Sequence, residues 1–177
     1  VWSFKWEAGV PHVSMPVALP NNQILISLGY GQGSKLIQVN KSEESYSANE
    51  LWSSRFMKAK FTNLIAHQGH IYGLDDGIFA SINQEDGRRN WKDGRFGHGQ
   101  ILLRANHILI MAENGEVILI EASPERQIEV ARFDALDSKT WNPHTLAGQY
   151  LLVRNHREAA CYKLPLAKTP ADTPAQE

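Results

Sequence analysis

The sequence is short of cysteine, of one-signed charge and of long apolar runs, and each shortage closes off a class of protein. Cys161 is the one cysteine in 177 residues, so no disulfide forms within the chain and no cysteine-based zinc cluster can be assembled. Lys and Arg number 18 against 19 Asp and Glu, a formal net charge of -1. That balance removes the broad basic footprint of a sequence-independent nucleic-acid binder, and no nucleic-acid partner is expected. The richest apolar stretches, such as Glu116 to Ala122, are soon interrupted by charge, so no segment predicts a membrane-spanning helix. Seven histidines are present, His12, His67, His70, His98, His107, His144 and His156, and none falls into an HxxxH or HExxH spacing. No metal site is expected from them. Neither a glycine-flanked nucleophile nor a Ser, His and Asp order stands out, and Cys161 in Ala-Ala-Cys-Tyr reads as a small buried hydrophobe. The chain opens at Val1 without an initiator methionine or a basic-then-apolar leader, which reads as a processed start or an excerpt.

What is present is a core and a repeat. A 42% hydrophobic fraction with 21% charge suffices to bury a globular interior. Two apolar strands around a polar turn recur four times: Ile24 to Leu28 with Leu36 to Val39, Ile71 to Leu74 with Ile78 to Ile82, Ile108 to Met111 with Val117 to Ile120, and Leu151 to Arg154 with Ala159 to Leu164. Asp76-Gly77 and Asn114-Gly115 supply the positive backbone angles of tight hairpins. The steps from 24 to 71, 71 to 108 and 108 to 151 are 47, 37 and 43 residues. Their mean, about 42, is the length of a four-stranded propeller blade.

Each unit also carries a strand before its hairpin: Ser14 to Ala18, Thr62 to His67, Gly99 to Leu103 and Thr145 to Ala147. Trailing strands contain Trp52, Trp91 and Phe133, and Val1 to Trp6 reads as the trailing strand of an earlier blade. No helical period persists, and β-branched and aromatic residues favour strands. The expectation is an all-β chain, about four blades of a propeller over residues 1-164, followed by a Pro- and Ala-rich tail over 165-177. An open run of blades leaves exposed edges, so the remaining blades or a second copy are expected to cover them.

The segment Ser81-Ile82-Asn83-Gln84-Glu85-Asp86-Gly87-Arg88-Arg89-Asn90-Trp91 resembles the tryptophan-docking motif of quinoprotein-type, or PQQ-like (pyrroloquinoline-quinone-type), propeller repeats. Gly87 and Trp91 fit the motif, Asn83 stands where the family has Asp, and Trp52 repeats the idea one blade earlier. The stretch from Trp91 to Gln100, with Glu113 to Glu116, Trp141-Asn142-Pro143 and Arg154-Asn155, is similar to the C-terminal blades of such proteins. The resemblance implies a Trp that packs between blades, a periplasmic or exported location, and a non-catalytic binding or scaffold module for a protein or small polar ligand. Its alternative is a PQQ-dependent dehydrogenase with calcium as Lewis acid. Against that alternative, no cofactor cradle, vicinal cysteine pair or catalytic Asp is assignable in these residues.

Seven residues are the ligand-binding candidates. His98 lies between Gly97 and Gly99 just before a leading strand, where propeller loops enter the central channel, with Arg95 and Gln100 beside it. Arg154 and Asn155 at a later hairpin extend this to a polar cluster able to meet an anion. Trp141 offers a stacking face or a core cap, and Pro143 holds Asn142 extended. Asp75-Asp76-Gly77 and Glu113 to Glu116 read as hairpin turns, because they lack the alternating oxygen ligands of a calcium loop.

Overall fold

The structure, a computed structural model, describes residues 1-165, so the tail expected over 165-177 lies, from residue 166 onward, outside the described residues. Strands form where apolar alternation meets turn chemistry, and they pair in chain order. The first sheet is β1 (Val17–Leu19), β2 (Gln23–Leu28), β3 (Gly33–Lys41) and β4 (Tyr46–Ser54). The second is β5 (Ile65–His67), β6 (His70–Asp75), β7 (Ile78–Asn83) and β8 (Arg89–Arg95). The third is β9 (Gln100–Arg104), β10 (His107–Met111), β11 (Glu116–Glu121) and β12 (Ile128–Asp134). The fourth holds three strands, β13 (Thr145–Ala147), β14 (Tyr150–Arg154) and β15 (Ala159–Lys163). Every pairing is antiparallel. The β6 to β7 turn places Asp76 at φ 50° and Gly77 at φ 82°, the left-handed pair that a two-residue hairpin demands.

Sheets stack face to face as blades. Strands β1, β5 and β9 are neighbours, so the first strand of each blade lies nearest a common axis. Side-chain alternation on the second strand sends Leu25, Tyr72 and Leu109 toward the following blade, and Ile71, Ile108 and Leu151 toward the preceding one. Three apolar clusters result, one per interface. Leu25 and Leu36 meet Ile71, Ala80 and Ile82, while Tyr72 and Phe79 meet Ile108, Ile118 and Ile120, and Leu109 and Val117 meet Leu151 and Val153. All of these are buried, and the lost apolar surface, at about 25 cal/mol per Å2, is what holds one blade on the next. In the three complete blades the register shifts between third and fourth strands, a bulge that adds twist to the outer edge.

Three expectations are corrected. Val1 to Trp6 alternates in burial but joins no ladder among the described residues, because no strand edge of the first sheet accepts its backbone hydrogen bonds. The first two leading strands are shorter than expected, since Ser14 to Pro16 and Thr62 to Leu64 serve as loop before the ladder begins. Cys161 is exposed instead of buried, because no strand and no blade covers β15 among the described residues.

Candidate functional site

The loops that carry the chain from the outer strand of one blade to the inner strand of the next gather at one mouth of the axis. Registering the innermost strands on their partners makes Val17, Ile65, Leu102 and Thr145 equivalent, opposite Leu25, Tyr72, Leu109 and Leu152. Four residues before these positions stand Val13, Phe61, His98 and Trp141. Three successive blades therefore place a ring at one repeat position, and the rings meet. Phe61 lies 5.5 Å from His98, edge to face, and 5.1 Å from Trp141. Such pairs are favoured by the ring quadrupoles.

Gln100 fixes this group. Its side chain is buried, and Nε2 donates to the Phe61 carbonyl at 2.9 Å and the Trp141 carbonyl at 3.1 Å, tying two loops from either side of its own blade. Cations alternate with the rings. The Lys60 ammonium lies 4.6 Å from the Tyr30 ring centre and 5.3 Å from that of Phe61, and Lys139 lies 3.7 Å from that of Trp141. Tyr30 and Trp141 remain 38% and 41% exposed, so the group forms a wet-rimmed aromatic shelf and not a closed core.

Each loop is pinned by a polar side chain from the hairpin of the following blade. Asp75 accepts from the Lys58 N–H at 2.9 Å, Glu113 from the His98 N–H at 2.8 Å, and Asn155 donates to the Ser138 hydroxyl at 2.9 Å. Asp75 is fully buried and bridges Lys58 at 2.6 Å and Lys92 at 2.8 Å. Burial pushes its carboxyl up, and the two ammonium groups more than offset this, leaving it below the usual carboxylate range. Glu113 is lowered as well: partial burial acts against ionisation and is outweighed by the His98 N–H, Trp141 and Lys139. These turns do hold charge, but as loop anchors.

Of the seven candidates, His98, Gln100 and Trp141 converge on the shelf. Asn142 follows Trp141 and is half-buried. Asn155 spends its side chain on its own turn, accepting from the Arg157 and Glu158 N–H groups at 2.8 and 3.0 Å. Arg154 is exposed at the end of β14, with no hydrogen bond or ion pair to the shelf. Arg95 is exposed at the end of β8, where it lines a groove of about 510 Å3 with Phe96, Glu113 and Lys139 beside the shelf. Sequence reading missed Tyr30, Lys60, Phe61, Glu113 and Lys139. The shared offset of Phe61, His98 and Trp141 was a usable signal once the repeat was registered; the lysines left none.

Repeat-motif residues lie elsewhere, on the outer rim. Trp52 donates its indole N–H to the Gln84 carbonyl at 3.0 Å, and Trp91 does the same to Ser123 at 3.0 Å, each reaching 32 residues ahead into the next blade. Asn83 orders the receiving turn by accepting from the Glu85 N–H at 2.7 Å, and Gly87 lies against the Trp52 ring. Phe133 stands in the Trp position one blade on and packs edge to face on Tyr162 at 5.0 Å.

Among the described residues no three His, Cys, Asp or Glu side chains converge as metal ligands, and the mouth acids Asp75 and Glu113 are already engaged by lysines and backbone N–H groups. No helix among the described residues is long and apolar enough to cross a membrane.

No family model and no curated protein matches the sequence. Among solved structures, the chain is similar to the computationally designed Ika8 protein at 10% identity and a TM-score of 0.50, over 80% of this chain and 54% of that one. It is also matched by BamB from Moraxella catarrhalis at 12% identity and a TM-score of 0.49, over 86% of this chain and 58% of that one. The chain thus spans little more than half the length of the structures it matches, and at such identity the likeness concerns the fold alone. From its own sheet order and interblade packing, the described chain is a run of four consecutive β-propeller blades, the last of them lacking its outer strand.

Proposed function

We propose that this chain is a non-catalytic propeller binding module whose mouth takes a small polar ligand carrying negative charge and a flat ring. The carrying observation is the Gln100 clamp, which holds Phe61 and Trp141 in fixed relation beside Lys60 and Lys139. A buried amide joined to two loop carbonyls favours a preorganised platform, and preorganisation lowers the ordering cost of binding. Exposed aromatic surface supports contact with a ring, and the ammonium groups have donors left for a carboxylate or phosphate. Asp75 and Glu113 are spent on loop anchoring, which supports binding over chemistry that would need a free carboxylate at the mouth. A periplasmic or exported location, implied by the resemblance, belongs to the same proposal and is checked by cell fractionation.

Titration with pyrroloquinoline quinone, a flat tricarboxylate, in the presence of calcium tests the reading. Saturable quenching of tryptophan emission that disappears in Trp141→Ala, without reduction of an artificial electron acceptor when alcohols or sugars are added, is the expected result. Quenching accompanied by acceptor reduction would replace the module with the dehydrogenase. Quenching that persists in Trp141→Ala would remove the shelf as the site.

A further inference from the structure

The outer strand of blade two carries three cations on one face, although their spacing in sequence predicts otherwise. Arg89, Lys92 and Arg95 are three apart along β8, and a strand of strict period two would send Lys92 to the face opposite the two arginines. The pairing with β7 changes this. Arg89 lies opposite Ile82, Lys92 opposite Ala80 and Arg95 opposite Ile78, because the ladder shifts twice, once between Ser81 and Ile82 and once between Ile78 and Ala80. Each shift gives β8 one residue more than β7, so three-residue steps on β8 match two-residue steps on its partner. Ile78, Ala80 and Ile82 share one face, and the three cations therefore share it too. Blades one and three have one such shift each, so the second shift, at Asp93 and Gly94, is found in blade two alone among the complete blades. Gly94 supplies the left-handed backbone there, at φ 69°.

The result is a groove of about 550 Å3 lined by Ile78, Arg89, Lys92, Asp93, Gly94 and Arg95. Two of its cations are fixed from behind. Lys92 donates to the buried Asp75 carboxylate at 2.8 Å, which takes one of its three ammonium protons, and the Arg89 guanidinium lies 4.7 Å from the centre of the Phe56 ring. Asp93, the one acid of the lining, spends Oδ1 on the Gly94 N–H at 2.8 Å within the bulge. Arg89 and Arg95 have no ion pair among the described residues. The other outer strands differ, since Arg132 of β12 holds Glu129 through two N–H groups at 2.8 and 2.7 Å, and Glu50 of β4 takes Lys35 at 2.6 Å.

We infer that this row is a docking site for an extended acidic segment of a partner protein, one with carboxylates on every second residue. Successive cations stand two β7 residues apart, about 6.6 Å, which is also the spacing of alternate side chains on one face of an extended peptide. Carboxylates in that conformation meet Arg89, Lys92 and Arg95 in turn, and each guanidinium offers paired N–H donors that match the two carboxylate oxygens. Recognition runs through side chains and not through strand addition, since the two bulges interrupt the outer edge of β8 as a hydrogen-bonding template. Single-stranded nucleic acid fits the groove less well. No aromatic ring lines it, and Phe56 beside it is taken up by the Arg55 and Arg89 guanidinium groups, 5.4 and 4.7 Å from its centre, so no face is left for a base. The row shares only Arg95 with the groove beside the aromatic shelf and does not rest on the ligand of the mouth.

Fluorescence anisotropy at low ionic strength with labelled Glu-Thr-Glu-Thr-Glu tests it, against an isomer of the same composition, Glu-Glu-Thr-Glu-Thr, whose carboxylates fall on two faces. The expected result is saturable binding that favours the alternating peptide and weakens about tenfold in each of Arg89→Gln and Arg95→Gln, the loss of one charge-assisted contact. Arg126→Gln, on the connection from β11 to β12, should leave binding unchanged. All three arginines are exposed, so the fold persists in the variants, as circular dichroism will verify. Absence of binding, equal binding of the two peptides, indifference to Arg89→Gln or Arg95→Gln, or an equal loss in Arg126→Gln would each overturn the proposal. Tighter binding of an oligothymidylate that is lost in the same two variants would overturn it by assigning the row to nucleic acid.

Discussion

The Trp52 indole lies on Gly87 of the next blade, with its N–H donated to the Gln84 carbonyl at 3.0 Å, and the fit leaves no room for a side chain. A Cβ built on Gly87 would come within 2.8 Å of the Trp52 ring, and the glycine sits at φ 68°. The turn therefore needs glycine for two reasons, the left-handed backbone and the close approach of the ring. Trp91 repeats the donation on Ser123, so rim docking is a property of the repeat and not of one interface.

Gly87→Ala is expected to destabilise the chain by about 1–3 kcal/mol, combining overpacking with backbone strain. Chemical denaturation checks this. Gly9→Ala is the comparison, since nothing lies within 4 Å of its Cβ and only its φ of 65° is strained. Equal losses in the two variants would show that the ring contact contributes nothing.

His144 is buried at the interface of blades three and four, in the register position that Leu64 and Ile101 fill in the two blades before, and neither ring nitrogen has a partner. Burial pulls its pKa down to about 4 from 6.5. A depressed histidine means that the unfolded chain binds the extra proton first, so stability present above pH 6.5 is lost as pH falls toward 4. The loss is on the order of 3 kcal/mol. His144→Leu is expected to flatten that part of the pH profile in urea unfolding at pH 7 and pH 4.5. An unchanged slope would assign the acid sensitivity to other groups.

Asp75→Asn leaves Lys92 without its carboxylate and Lys58 with only Asp76 at 3.6 Å, while the two lysine side chains keep only 19% and 18% exposure. Removing one partner of a buried pair costs about 3 kcal/mol or more. Lys92→Met is expected to cost less, because Lys58 still neutralises the acid. The sign of the pH effect is opposite in origin to a raised group: the folded carboxyl is lowered, so its contribution is present above its unfolded value of 3.8 and lost as pH falls below it. Thermal unfolding of the two variants at neutral pH orders them, and a costlier Lys92→Met would contradict the assignment.

Gln100→Leu removes both donors from the Phe61 and Trp141 carbonyls and is expected to cost about 1–3 kcal/mol. Loosening of the Trp141 loop should also shift tryptophan emission to the red. Loss of stability with no change in emission would mean that the clamp holds the blade but not the shelf.

Much of the fold was legible in the residues. Hairpins are local: Asp76-Gly77 fixes a turn, period-2 alternation fixes which side chains face a neighbour, and the recurrence of both counts the blades. The site was legible in part, because His98, Gln100 and Trp141 carry recognisable local features such as flanking glycines or a following proline. Phe61 and Lys60 carry none, and the part Asn155 plays in its own turn, accepting from the Arg157 and Glu158 N–H groups, is a matter of loop geometry that its residue type does not specify.

The sequence by itself determined strands, turns and blade number, since each depends on neighbours a few residues apart. Only the tertiary structure decided that Trp52 docks on the blade ahead, and that Phe61 meets Trp141 across a buried amide from Gln100. Those contacts join residues 32 to 80 apart in sequence, across loops of unequal length. Their geometry is set by how the blades stack about the axis, a quantity that no local pattern encodes.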